Sequence, residues 1–235
     1  EVVAWTQRVA KKLILEGADN LAQSLTDSEA DDSSNTLGAL PSDSIWSSEL
    51  EEAVEALDGM KNKRLRRLFQ QMAEELSDRE KGGISEETLV ANHVSPILRA
   101  FAHDPALEIF AHFPNTNSNT QKKQGNKPDR PDFKVTIGEK EVSFGEVTGP
   151  TQMNDKEKNG WDLYRLSRFG TAVLNEGAPV VPLIQVLADV GTVYRHFVKA
   201  RGIMVLAEVG VFSVPTATIH MGALLASLPT LFWYQ

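Results

Sequence analysis

At 235 residues and 41% hydrophobic content, the chain can bury one sizeable core of about 150 to 200 residues beside appended segments. It contains no cysteine, which excludes a disulfide framework and a thiolate metal site and fits an intracellular protein. The formal net charge of −8 is unevenly spread: residues 16–60 hold 12 acidic side chains and no Lys or Arg, whereas residues 61–235 hold 21 basic against 19 acidic.

Such an acidic front reads either as a solvated tail or as a shield over a basic surface until a partner displaces it. No apolar run reaches the roughly 18 residues of a membrane span, and no charged-apolar-small leader is visible. The expectation is a soluble protein of the nucleus or cytoplasm. Secretion as an effector stays open, because the chain starts at Glu1 rather than Met, as a fragment would.

In chain order, residues 2–25 carry apolar side chains at near-helical spacing and are followed by the linker-like "SEADDSSNTLGALPSDS". A second helix is expected from Ser47 as N-cap through "ELEEAVEALDGM" and, after Gly59, into "KNKRLRRLFQQMAEEL", with Leu65, Leu68, Phe69 and Met72 inward and Lys63, Arg64, Arg66 and Arg67 outward. Residues 1–81 are therefore expected to form a helical and partly disordered acidic region. Residues 82–235 are expected to form one α/β domain.

Within that domain, Ser85 caps a predicted helix through about Ala102, with Glu86 and Glu87 in its first turn and Leu89, Val90, Val94, Ile97, Leu98 and Phe101 inward. "ALEIFAHF" predicts a strand over 106–113. The polar stretch 114–130 predicts a loop with a local positive charge from Lys122, Lys123, Lys127 and Arg130. "PDFKVTI" and "EVSFGEV", separated by Gly-Glu-Lys, predict a hairpin. A helix is expected over "KNGWDLYRLSRFGTAVLNEG", with Trp161, Tyr164, Leu166, Phe169, Val173 and Leu174 at helical spacing; three strands and a final helix follow. The order from residue 85 is α-β-β-β-α-β-β-β-α, and the fold class is a mixed central sheet flanked by helices.

The hairpin carries the chemistry. A metal used on phosphodiesters needs hard oxygen ligands from rigid elements, with positions left for water and phosphate. Asp132 opens one strand and Glu146 lies toward the end of the next, so both fall near the same end of the hairpin. With the turn at Gly138-Glu139 the two are offset by one residue, a mismatch that either a bulge or a different turn would remove. Glu86 or Glu87, at a helix start, can complete the set. No P-loop, GxGxxG or GxSxG occurs, and His93, His103, His112, His196 and His220 lack HExxH or other ligand spacing.

"Pro131-Asp132" followed by "Glu146-Val147-Thr148", after a helix bearing Glu86, resembles the PD-(D/E)XK nuclease superfamily. The likeness spans about residues 85–200. The run "SEETLVANHVSPIL … KPDRPDF … FGEVTGP … WDLYRLSRFG" is similar to uncharacterised fungal proteins associated with that superfamily. The resemblance implies an α-β-β-β-α-β core and nucleic-acid cleavage with Mg²⁺ or Mn²⁺. Asp132, Glu146 and the main-chain carbonyl of Val147 would then hold the metal, and Glu86 would complete the shell or orient water. Thr148 departs from the pattern, standing where the superfamily has a lysine that orients water and offsets phosphate charge. Lys156, Lys158 or Arg165 is expected to reach back in its place, Lys158 foremost, with Gln152 able to position water. Lys122, Lys123, Lys127, Arg130 and Arg165 are expected to contact phosphates. The alternative is the same fold kept as a non-catalytic module binding nucleic acid or a protein partner, a second copy included.

Overall fold

The computed structural model describes residues 63–77, 83–113, 116–125 and 127–234. The helix expected over 2–25, the linker after it and the first part of the helix expected from Ser47, residues 47–62, lie outside these residues. The chain divides into two compact units, Glu1–Gln70 and Gln71–Gln235. Helix α1 (Lys63–Glu75) crosses that division and buries the expected Leu65, Leu68, Phe69 and Met72 while Arg66 and Arg67 are exposed.

The second unit is built on one six-stranded mixed sheet in the order β1-β2-β3-β4-β5-β6, comprising β1 (Ile109–His112), β2 (Phe133–Ile137), β3 (Lys140–Thr148), β4 (Val180–Leu187), β5 (Val190–Ala200) and β6 (Ile203–Ser213). Every neighbouring pair is antiparallel except β3 and β4. Parallel neighbours need a long crossover, supplied here by helix α4 (Lys156–Asn175). On that face Phe144 of β3 stacks on Phe169 of α4 at 4.8 Å, within a buried cluster that includes Leu166, Val173 and Leu183. Burying one such ring contributes roughly 2–3 kcal/mol.

Helix α2 (residues 86–102) and the final helix α5 (Met221–Tyr234) contact one another, with Phe101 meeting Phe232 edge-on at 5.5 Å. The hydroxyl of Ser143, the residue before Phe144, lies 2.6 Å from that of Tyr234. Successive strand residues face opposite ways, so α4 and α5 cover opposite faces of the sheet.

Helix α2 starts where the sequence predicts: Ser85 Oγ accepts from the Thr88 amide, and the helix continues to Ala102. Its second segment, Leu89–Val94, is wound as a π-helix. Leu89, Val94, Ile97, Leu98 and Phe101 are buried, but Val90 is only half-buried, because the wider turn breaks the 3.6-residue stripe. The strand expected over 106–113 is shorter. Pro105–Leu107 form a 3-10 turn, Glu108 takes a left-handed φ of 56°, and only Ile109–His112 pair with β2. The polar stretch expected as loop contains a short helix, α3 (Asn119–Lys123), capped by Ser118.

Candidate active site

Asp132 and Glu146 are brought together by a bulge in the β2–β3 hairpin. The two-residue turn at Gly138-Glu139, with Gly138 at φ +57°, sets Ile137 against Lys140 and Thr136 against Glu141. The register then shifts between Val135 and Thr136, so that Val135 pairs with Ser143 and Phe133 with Gly145. This removes the one-residue offset. Asp132 is held on both sides of Glu146: its amide donates to the Gly145 carbonyl at 3.1 Å, and its Oδ2 accepts from the Val147 amide at 2.7 Å.

Two glycines permit this close approach. A Cβ on Gly145 would lie 1.6 Å from the Phe133 ring, so only glycine lets that ring cross β3. A Cβ on Gly149 would lie 3.2 Å from Glu86 Cα; without it, the Gly149 amide reaches Glu86 Oε2 at 3.2 Å. Helix α2 is thereby tied to the end of β3.

The third element is the first half of α4. Asp155 caps it by accepting from the amides of Glu157 and Lys158 at 3.0 Å each. Lys158 then reaches the sheet: its ammonium donates to Glu86 Oε2 and Thr148 Oγ1, both at 3.2 Å, and lies 3.6 Å from Asp162 Oδ2. Thr148 Oγ1 donates in turn to Asp162 Oδ2 at 3.0 Å. Arg165 pairs with Glu146 Oε2 at 3.1 Å and Asp162 Oδ1 at 3.3 Å, and donates to the carbonyl of Arg130.

Glu86, Asp132, Glu146, Thr148, Lys158 and Arg165 therefore share one neighbourhood, and Val147 enters it through its amide. Lys156 is exposed, and Gln152 lies exposed in a turn before α4. Lys122, Lys123 and Lys127 are exposed beyond the cluster; of Arg130, the carbonyl joins it. Trp161 and Tyr164, which share the helical spacing of Leu166 and Phe169, are 58% and 53% exposed and meet edge-on at 5.6 Å. The face of α4 turned to the sheet is instead Asp162, Leu166, Phe169 and Val173, spaced four, three and four apart.

Asp162 was not singled out from sequence. It is 6% exposed and joins Thr148, Lys158 and Arg165. The available signal was its position four after Lys158 and three before Arg165, the spacings at which helix side chains meet.

The electrostatics are strained in one direction. Burial first, then the neighbouring Asp132 carboxylate, push Glu146 up to about 10. Arg165 opposes this but divides its donors among Glu146, Asp162 and the Arg130 carbonyl. Asp132 is also raised, by burial first and against its bond from the Val147 amide, with Glu86 adding repulsion. Glu146 Oε1 is buried without a hydrogen-bond partner.

An orphaned carboxylate oxygen and two mutually repelling acids fit one divalent cation of the Mg²⁺ or Mn²⁺ type, which takes one or two carboxylates and completes its shell with water and phosphate. No set of three metal-ligating acids or histidines converges among the described residues. The fit is thus to a two-carboxylate site. No helix among the described residues is long and apolar enough to cross a membrane. No family model, curated protein or solved structure matches the chain.

Proposed function

We propose that the domain is a metal-dependent nuclease that hydrolyses phosphodiester bonds of DNA or RNA. The observation carrying this reading is the approach of Lys158 Nζ to Thr148 Oγ1 beside Asp132 and Glu146. A cation from α4 stands next to the one motif position that lacks it.

In this reading Asp132 and Glu146, with the Val147 carbonyl, hold Mg²⁺ or Mn²⁺, which when bound stabilises charge on the phosphate and makes water more acidic. Lys158 offsets charge developing on the phosphate and orients the attacking water through the donors it does not spend on Glu86 and Thr148. Glu86 fixes the ammonium and accepts from that water. Asp162 holds Thr148, Lys158 and Arg165 in place. Lys122, Lys123, Lys127 and Arg130 contact the phosphate backbone, giving salt-sensitive binding with little sequence readout.

The test is titration of Mn²⁺ into wild type and into an Asp132→Ala, Glu146→Ala double variant, followed by incubation of both with labelled DNA and RNA. The reading requires binding and cleavage in the wild type and neither in the variant. Cleavage that survives in the variant refutes the site.

A second reading rests on Arg165. Its guanidinium 3.1 Å from Glu146 Oε2 sits against the carboxylate a metal would use, as expected of a nuclease fold retained as a non-catalytic module binding nucleic acid or protein. Wild-type protein that binds nucleic acid in EDTA and takes up no Mn²⁺ would favour it.

A further inference from the structure

From Lys134 of β2, two residues beyond Asp132, toward the β2–β3 turn runs an open cleft of about 650 Å³. It extends along β2 from Lys134 to Gly138, and Gly138 is roughly 20 Å along the strand from Asp132. Three ammonium groups line it: Lys122 and Lys123 from α3, and Lys134 from β2.

Lys134 is the unusual one. Its side chain is 9% exposed, and its Nζ donates to Glu141 Oε1 at 2.7 Å. Glu141 is fully committed: Oε1 also accepts from the Asn119 amide at 3.0 Å, and Oε2 from Ser118 Oγ at 2.7 Å and the Thr120 amide at 3.0 Å. One carboxylate therefore anchors both the start of α3 and the floor of the cleft. An ammonium has three N–H donors, and Glu141 is the sole hydrogen-bond partner of Lys134 among the described residues. Two donors remain for a ligand.

Lys122 and Lys123 form no ion pair among the described residues. Glu139 at the turn is the one carboxylate in the lining. Thr116 and Asn119 add neutral donors, and His112 is occupied with Thr136 Oγ1 at 3.0 Å. With Lys134 balanced by Glu141, the two α3 lysines outweigh Glu139.

The donor type narrows the ligand. Planar carboxylates are held best by the guanidinium fork, which this lining lacks, whereas ammonium groups act as point charges suited to tetrahedral phosphate. Lys122 and Lys123 can contact a backbone diester, but with Lys134 beside them they hold a terminal phosphate near −2 more strongly than a singly charged diester. The volume accommodates a phosphate with an attached nucleoside. We propose that this cleft binds a phosphomonoester: the terminal phosphate of a nucleic-acid strand or the phosphate of a free mononucleotide.

The experiment measures binding to the full chain in EDTA, so that metal contributes nothing, using two pairs of probes: 5′-phosphorylated against 5′-hydroxyl oligonucleotide, and 5′-AMP against adenosine. The cleft predicts at least tenfold tighter binding of the phosphorylated member in one pair or both, and the pair that responds identifies the source. Lys122→Ala with Lys123→Ala, both exposed positions compatible with folding, should reduce that ratio to near one. Equal affinities within both pairs, or a preference surviving the double substitution, overturn the proposal. Since the readout is a ratio without metal, it is separable from any failure to cleave with Mn²⁺.

Discussion

The Lys158 ammonium lies 3.2 Å from the Thr148 hydroxyl. The two come from different elements: Thr148 ends β3, and Lys158 stands in the first turn of α4, aimed by the Asp155 cap. If this pairing replaces a lysine on the strand, Lys158→Ala lowers the Mn²⁺-dependent cleavage rate by about 10²–10⁴-fold, and Thr148→Lys alone changes little. Thr148→Lys in the Lys158→Ala background should then recover most of the loss. Failure of that rescue, measured by single-turnover cleavage, rejects the equivalence.

Glu146 carries a penalty that grows with pH. Its folded value of about 10 exceeds the ordinary 4.5, so its stability contribution is fully present below pH 4.5 and lost as pH rises toward 10. Glu146→Gln removes the titration, leaving Arg165 with Asp162 and the Arg130 carbonyl. The variant is expected to gain about 2 kcal/mol over wild type at pH 8 and much less at pH 5. Urea unfolding at the two pH values checks this; a gain that is flat with pH contradicts it.

Glu141 behaves oppositely. Burial alone would raise it, but Lys134, the Thr120 and Asn119 amides and Ser118 together hold it at about 2. Its contribution is present above pH 4.5 and lost as pH falls toward 2. Glu141→Gln should cost about 3 kcal/mol at pH 7 and flatten the acid limb of the stability curve, as read by thermal melts between pH 3 and 7.

The two close-approach glycines rank by their neighbours. Gly145→Ala puts a methyl 1.6 Å from the buried Phe133 ring and should cost about 3 kcal/mol or more. Gly149→Ala, 3.2 Å from the Glu86 backbone, should cost about 1 kcal/mol while loosening the Gly149 amide to Glu86 bond and, if the proposed nuclease reading holds, lowering cleavage more than stability. Equal stability losses for the two would contradict the packing described.

Much of this was legible in the linear chain because it rests on short-range physics. Alternating apolar residues, the Gly138-Glu139 turn and the Ser85 cap set the element order α-β-β-β-α-β-β-β-α and placed Asp132 near Glu146, since hairpin geometry depends on adjacent residues alone. What only the tertiary structure decided depends on contacts distant in sequence. The bulge that aligns Asp132 with Glu146 lies between Val135 and Thr136, and the resulting register sets the Phe133 ring over Gly145, a contact between separate strands. The inward face of α4 is chosen by the sheet, which takes Asp162 and leaves Trp161 and Tyr164 in solvent, although helical spacing permitted either stripe. Glu86 joins the cluster because Gly149 lets two backbones approach across 63 residues of chain. Local sequence specifies which elements form, but which side chains meet depends on how those elements pack, because the free energy that selects one face over another comes from burial between them.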